Sequence, residues 1–178
     1  FNNVQSMVLS GIGEPPAATL DAVTLAQLGE RAYLAGDLEE SILYYGQAEN
    51  LVPEDIDIKF EYGRVLIYRS YAGRNYGFRA EEALVLAQEA VALDPQNTRA
   101  QALLCMALLE TGNADEAVLA GLRAVDIAPD YSEAKAYLSL AYYYAGSPNQ
   151  AFQAAEEAVQ LNPKSLDARR ALALSLAY

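Results

Sequence analysis

Apolar residues fall at helical spacing in paired segments along this chain, and a short polar break separates the two members of each pair. Two such breaks are Ala35-Gly36-Asp37 and Thr111-Gly112-Asn113. Glycine and short polar residues between two apolar-periodic segments are typical of a tight turn. The pattern therefore predicts a chain built from antiparallel helical pairs.

These pairs repeat at a nearly constant period. Prolines at 53, 95, 129 and 163 are separated by 42, 34 and 34 residues, and alanines at 48, 90, 124 and 158 show the same spacings. Gly29 and Gly63 are also 34 residues apart, and Ala83 and Ala117 resume that step. The second unit therefore carries about eight extra residues, which lie between Gly63 and Ala83.

The repeat divides the chain into an N-terminal segment and a repeat domain. Residues 1–20 hold an apolar stretch followed by a linker containing Gly11, Gly13, Pro15 and Pro16. The domain at 21–178 comprises units 22–55, 56–97 with an insertion at 70–80, 98–131 and 132–165, then a terminal helix at 166–178.

Helix ends are also predicted from the sequence. The residue before a proline disfavours helical geometry, so the second helices should end after Leu51, Leu93, Ile127 and Leu161. Polar N-cap candidates for the first helices are Asp21, Asp55, Asn97 and Ser165, with Ser132 taking this role beside Tyr131. Capping boxes are predicted for the second helices at Asp37 with Glu40, Asn113 with Glu116, and Ser147 with Gln150.

The pattern Leu28-Gly29, Gly36-Asp37, Ser41, Tyr45, Ala48 and Pro53 resembles the tetratricopeptide repeat, whose period is about 34 residues. The resemblance covers residues 22–178. It implies an all-α fold, a right-handed superhelical solenoid of antiparallel helix pairs. Departures from the motif are Cys105 and Ser139 at its glycine position and Ser41 at a position where alanine is usual.

Composition narrows the function. The chain has 12 basic and 24 acidic residues, a net charge of -12, which opposes binding to nucleic acid and to anionic membranes. No apolar run approaches the ~18 residues of a spanning helix, so direct membrane insertion is not expected. Histidine is absent and Cys105 is the single cysteine, so we expect no enzyme activity, cofactor or metal.

The resemblance implies that the first helices line a concave groove that holds a protein or peptide partner. The matching positions form an apolar and aromatic band with candidate peptide-binding residues Tyr33, Phe60, Arg64, Ile67, Met106, Leu109, Leu140 and Tyr143. We expect this band to be exposed and to bind an apolar or amphipathic segment. The alternative is a tightly curved superhelix that buries the band.

A second candidate site is the insertion, where Arg69, Arg74, Tyr76 and Arg79 concentrate positive charge and aromatic rings in an acidic chain. Arginine beside tyrosine suits an acidic peptide or a phosphate. The alternative is that these arginines pair with nearby acids of the chain, such as Glu61, Glu81 and Glu82.

The sequence thus predicts a non-catalytic scaffold for protein–protein interaction. One alternative is a self-assembling module, a homo-oligomer joined through the terminal helix and the N-terminal segment. Another is the non-catalytic arm of a larger enzyme. The sequence indicates no particular compartment.

Overall fold

The computed structural model describes residues 20–71 and 77–177, and this part of the chain contains nine helices and no strand. Their bounds are α1 Ala22–Ala35, α2 Leu38–Leu51, α3 Ile56–Ser70, α4 Phe78–Leu93, α5 Thr98–Glu110, α6 Ala114–Ile127, α7 Ser132–Tyr144, α8 Pro148–Leu161 and α9 Leu166–Ser175. None of these helices combines the length and the apolar character needed to cross a lipid bilayer.

The helices stack as pairs: α1 with α2, α3 with α4, α5 with α6, and α7 with α8. The second helix of each pair also packs on the first helix of the next pair, and α9 packs on both α7 and α8. The first helices form an inner layer in which α3 packs on α5, α5 on α7, and α7 on α9. The fold is an all-α helical repeat solenoid, as the periodicity predicts.

All four second helices end at the residues predicted from the prolines, Leu51, Leu93, Ile127 and Leu161. Four predicted N-caps form, with the side chains of Asp21, Asp55, Asn97 and Ser165 accepting from backbone N–H groups of α1, α3, α5 and α9. Asp37 likewise accepts from the Glu40 amide at 3.0 Å.

Three capping predictions are wrong. Asn113 and Ser147 make no side-chain cap bond at the starts of α6 and α8. The Asn113 amide instead donates to the Thr111 hydroxyl at 3.1 Å, inside the preceding turn. Ser132 lies within α7, and its hydroxyl donates to the Ala158 carbonyl at 3.0 Å. This bond ties α7 to the end of α8, so the serine holds two helices together instead of capping one.

One contact between the two helices of a repeat is close enough to require a glycine. A Cβ added to Gly29 on α1 would lie 2.8 Å from Cδ2 of the Tyr45 ring on α2. At the equivalent contact of the third repeat, the glycine lies on the second helix and the larger residue on the first. A Cβ added to Gly121 on α6 would lie 3.1 Å from Sγ of Cys105 on α5. Each of these repeats therefore has a glycine on one side of the contact and a larger side chain on the other.

A serine hydrogen bond links the helices of the first and fourth repeats at another shared position. Ser41 on α2 donates to the Gly29 carbonyl of α1 at 2.8 Å, and Ser139 on α7 donates to the Ala151 carbonyl of α8 at 2.7 Å. Both serines are fully buried. The two departures from the family motif therefore make the same cross-link with donor and acceptor helix exchanged.

A buried lysine joins the first two repeats. Lys59 on α3 is 2% exposed and donates to Glu49 on α2 at 2.7 Å and to Glu89 on α4 at 2.6 Å. Burial opposes the charged form, but the two carboxylates outweigh it and raise the pKa of Lys59. The ammonium group therefore stays charged inside the fold and connects three helices.

We expect Gly29→Ala to destabilise the protein, because its Cβ would meet the Tyr45 ring at 2.8 Å. Overpacking of this kind costs about 1–3 kcal/mol, which outweighs the gain of about 1 kcal/mol in helix propensity. Urea unfolding followed by circular dichroism measures the difference. Gly77→Ala is the matched control, since nothing lies within 4 Å of its added Cβ. Equal stability of Gly29→Ala and the unmodified protein would show that this close contact is not needed.

Candidate functional site

The expected exposed band is largely absent. Phe60, Ile67, Met106 and Leu140 are 1%, 0%, 4% and 4% exposed, so for these four residues the expectation of an open binding surface is wrong. They are buried because α3, α5 and α7 pack directly on one another along the inner layer. The other four candidates are half-buried: Tyr33, Arg64, Leu109 and Tyr143.

Side chains of distant repeats meet across the inner face. The Tyr68 hydroxyl on α3 lies 2.8 Å and 3.0 Å from the two carboxylate oxygens of Asp167 on α9, and the Tyr137 hydroxyl on α7 donates to the same carboxylate at 3.0 Å. Nearby, Tyr71 donates to Glu110 at 2.8 Å, and its ring lies 4.4 Å from the Arg170 guanidinium. The middle of the solenoid is therefore filled by its own polar and aromatic groups.

Arg64 lies among aromatic rings on the inner layer. Its guanidinium carbon is 5.3 Å from the ring centre of Tyr33, 5.8 Å from that of Phe60 and 6.0 Å from that of Tyr68. The guanidinium also pairs with Glu61 on the same helix. Arg64 thus connects α1 and α3 through cation–π contacts, with its charge balanced within the protein.

Among the neighbouring first helices that the structure describes, α1 and α3 leave a cleft between them. The other neighbouring first helices pack directly, whereas no comparable packing joins α1 to α3. A cleft of about 410 Å³ lies there, within the usual size range of ligand pockets. Its walls are formed by Val23, Ala26, Gln27, Glu30, Tyr33, Leu34, Tyr45, Asp55, Asp57, Ile58, Glu61 and Arg64.

One repeat position differs at the opening. The first two repeats have Glu30 and Arg64 there, whereas the third and fourth have the buried Met106 and Leu140. Two apolar side chains can be enclosed between packed helices at no electrostatic cost, but a glutamate and an arginine would lose their hydration. The cleft lies at these two charged residues, and Arg64 contacts Tyr33 of α1 beside it. The sequence shows this change from charged to apolar residues, but the cleft was not predicted from it.

The cleft combines exposed aliphatic residues with several acidic ones. Val23 and Leu34 are 66% and 75% exposed although both are aliphatic, and with Gln27 and Glu30 they follow one face of α1. The acidic residues of the cleft are Glu30, Asp55, Asp57 and Glu61. Burial, followed by the charges of Glu61 and Glu30, raises the pKa of Tyr45 at this wall.

A second hollow adjoins the cleft at the carboxyl end of α1. It shares Tyr33 and Leu34 with the cleft, encloses about 620 Å³, and is bordered across the gap by Leu166 and Arg170 of α9. Leu166 is 74% exposed. The apolar surface of α1 therefore continues toward the last helix of the solenoid.

The arginines around the insertion are paired with acids of the chain. Arg69 donates to Glu39 at 2.6 Å, while Arg79 lies 2.9 Å from Glu82 and 3.7 Å from Glu39. These contacts match the alternative interpretation, although Glu39 was not among the acids it named. Arg74 and Tyr76 lie outside the described residues. Binding of an acidic ligand by this loop stays a prediction.

Cys105 is fully buried, and desolvation raises the pKa of its thiol to about 12, so the nucleophilic thiolate does not form near neutral pH. The neighbouring acids Glu39 and Glu40, and likewise Asp115 and Glu116, occupy first turns of α2 and α6. Negative charge is favourable there because of the helix dipole. The buried thiol and these neighbouring acids are therefore explained by packing and by helix stability, without a catalytic role.

Comparison with known proteins supports the repeat assignment. A family model described as tetratricopeptide repeat matches residues 78–141. MamA from Desulfovibrio magneticus RS-1 is 19% identical over 90% of this chain and 86% of that chain, with a TM-score of 0.60. TTC0263, a thermophilic TPR protein of Thermus thermophilus, is 18% identical over 88% of this chain and 100% of that chain, with a TM-score of 0.54.

The Cut9-Hcn1 hetero-tetramer of the APC/C contains a chain that is 18% identical, with a TM-score of 0.65 over 88% of this chain and 30% of that chain. Comparison of the sequence with curated proteins finds no match. The structural likenesses are all at low identity and establish the fold alone.

The buried tyrosines predict a loss of stability at alkaline pH. Burial and the Asp167 charge raise the pKa of Tyr68 and of Tyr137 above the value of about 10 for an unfolded tyrosine. The stabilisation of the folded state by these two tyrosines is therefore complete below pH ~10. It is lost as the pH rises toward the pKa that each has in the folded protein. We expect the free energy of unfolding to fall by about 1.4 kcal/mol per pH unit for each such tyrosine.

Urea unfolding between pH ~9 and pH ~11.5 measures this slope. Tyr68→Phe should make it shallower, whereas Tyr144→Phe, at a 58% exposed position, should leave it unchanged. An identical slope in all three proteins would contradict the assignment of Tyr68 to this network. With no histidine in the chain, stability should be nearly constant between pH ~6 and pH ~9.

Proposed function

Since this chain is a tetratricopeptide repeat protein, we propose that it is a non-catalytic scaffold whose cleft between α1 and α3 binds a segment of a partner protein. The observation that carries the proposal is the interruption of the inner layer at that cleft, where α1 and α3 leave about 410 Å³ unfilled. The remaining first helices, α3, α5, α7 and α9, pack directly on one another in order.

The repeat architecture favours interaction over catalysis. Stacked helical repeats present an extended surface, and their stability comes from contacts between neighbouring units. The structurally similar Cut9 is described in a hetero-tetramer with Hcn1, so protein association occurs with this fold. The side chains that could suggest chemistry, such as Cys105, are buried or placed at helix ends.

The surface of the cleft suits an apolar anchor from the partner. Val23 and Leu34 are largely exposed, and covering an aliphatic side chain of this size contributes about 1.5–3 kcal/mol. Tyr33 and Arg64, two of the predicted peptide-binding residues, line the same cleft. Anchors held in a pocket dominate the affinity of most protein interfaces. Leu109 and Tyr143 are not among the cleft residues and have no part in this proposal.

Self-assembly is a second candidate function, favoured by one observation. Leu166 on α9 and Leu176 directly after it are 74% and 66% exposed, among the highest exposures of large apolar residues in the part of the chain that the structure describes. A second copy of the chain could cover them. The third hypothesis, an arm of a larger enzyme, stays a prediction from the sequence.

The cleft is tested with a displayed library of peptides of about 15 residues, long enough to follow the whole of α1. Selected peptides are measured by fluorescence anisotropy against the unmodified protein and the double variant Val23→Ser with Leu34→Ser. We expect the double variant to bind at least about tenfold more weakly, a loss of about 1.4 kcal/mol or more. Both side chains are largely exposed, so folding should not change.

Leu119→Ser is the matched control, because Leu119 is 58% exposed on α6 and lies outside the cleft. This variant should bind like the unmodified protein. If the selected peptides bind all three proteins equally, the cleft is not the binding site. Self-assembly is tested separately by light scattering over a series of protein concentrations. If copies associate through Leu166 and Leu176, the apparent mass of the unmodified protein should rise with concentration, and Leu166→Ser and Leu176→Ser should reduce this rise.

A further inference from the structure

We propose that the partner segment is a basic amphipathic helix, which lies along α1 with its apolar side on Val23 and Leu34 and its lysines or arginines facing Glu30 and Asp57. This inference rests on the proposed function, since it names the chemistry of the segment that the cleft binds. Two properties of the cleft support it: the distribution of its charges and the shape of its walls.

Two acidic residues of the cleft, Glu30 and Asp57, are more exposed than its arginine, Arg64. Asp57 is 72% exposed and Glu30 is exposed, while Arg64 is 21% exposed. Arg99, at 39% exposure, pairs with Asp57 at 3.1 Å and lies 5.0 Å from the Phe60 ring. Glu30 and Asp57 therefore reach solvent more than Arg64 does.

Glu30 is the acid most available to a partner. Within the part of the chain that the structure describes, it makes no ion pair or side-chain hydrogen bond. Its place on α1, one turn from Gln27 and one from Leu34, puts it between the two exposed aliphatic residues. A lysine or arginine held there would gain an unshared carboxylate, and the net charge of -12 would speed its approach.

The walls of the cleft favour a helical segment over an extended one. Both walls are helices, whose backbone groups are already bonded within the helix, so they provide no edge for a peptide strand to extend. The aliphatic side chains of Val23 and Leu34 offer the backbone N–H and C=O groups of an extended peptide no hydrogen-bond partner. A helix satisfies these groups internally and can pack its side chains along α1, which is about 21 Å long.

Residues 1–19 of the chain itself fit this cleft poorly. Glu14 is the single charged residue among them, so this segment brings no cation to the acidic residues of the cleft. A nucleic acid would also be repelled by the same carboxylates. A separate protein that carries positive charge on one helical face meets both requirements.

Three synthetic helices of about 14 residues test the inference: one with leucine and lysine at helical spacing, one with glutamate for lysine, and one with glutamine. Anisotropy titrations with the unmodified protein should show the lysine peptide binding about tenfold more tightly than the glutamine peptide, and the glutamate peptide more weakly still. Raising salt from about 0.05 M to about 0.5 M should remove most of this preference.

Glu30→Lys should weaken binding of the lysine peptide about tenfold and should tighten binding of the glutamate peptide. Glu156→Lys is the matched control: it changes the net charge equally, at an exposed position on α8 far from the cleft residues, and should shift both peptides only slightly. Equal effects of the two substitutions would mean that only overall charge matters, and the inference would be overturned.

The two proposals fail in different ways. If the glutamine or glutamate peptide binds as tightly as the lysine peptide and still requires Val23 and Leu34, the basic partner is wrong and the scaffold function stands. If no peptide depends on Val23 and Leu34, the cleft itself is wrong. A lysine peptide that binds without helical circular dichroism in the complex would contradict the helical geometry.

Discussion

The close approach of the two helices in each pair is the constraint on which the solenoid depends. At Gly29 and Tyr45, and again at Cys105 and Gly121, one glycine lets a larger side chain lie against the facing helix. The glycine changes sides between the first and third repeats, so these two contacts share the combination of one glycine with a larger residue and not the residue at either position. Cys105 looks like a departure from the motif only when the opposite helix is ignored.

The curvature that follows from this packing decides which surfaces are available. Tyr68 and Asp167 are 99 residues apart and hydrogen-bonded, so helices from the second repeat and the end of the solenoid meet on the inner side. Phe60, Ile67, Met106 and Leu140 are enclosed as a result. Assignment of residues to the inner face was possible from the sequence, because it requires only the phase of the repeat. The radius of the superhelix depends on small rotations accumulated over several contacts, which no local pattern encodes.

The other predictions also succeeded where the structure depends on neighbouring residues and failed where it depends on contacts that the local sequence does not determine. Helix ends at Leu51, Leu93, Ile127 and Leu161 were predictable because the following proline acts on its immediate neighbour. The missing cap at Asn113 was not, because this side chain can bond inside the preceding turn, as it does to Thr111. Nothing in the structure explains why Ser147 makes no cap bond. The ion pairs of Lys59 join residues 10 and 30 positions away, and a lysine in an apolar-periodic helix gives no sign of its partners.

The candidate cleft lies where the repeat pattern is least regular. Glu30 and Arg64 occupy a position that Met106 and Leu140 fill in later repeats, and enclosing two charged groups between helices would cost more than the added packing contributes. A regular solenoid would have continued its inner layer through this position and left no opening. The cleft between α1 and α3 lies where two charged residues replace two apolar ones, and one of them, the exposed Glu30, supplies a negative charge by which the cleft would select a partner.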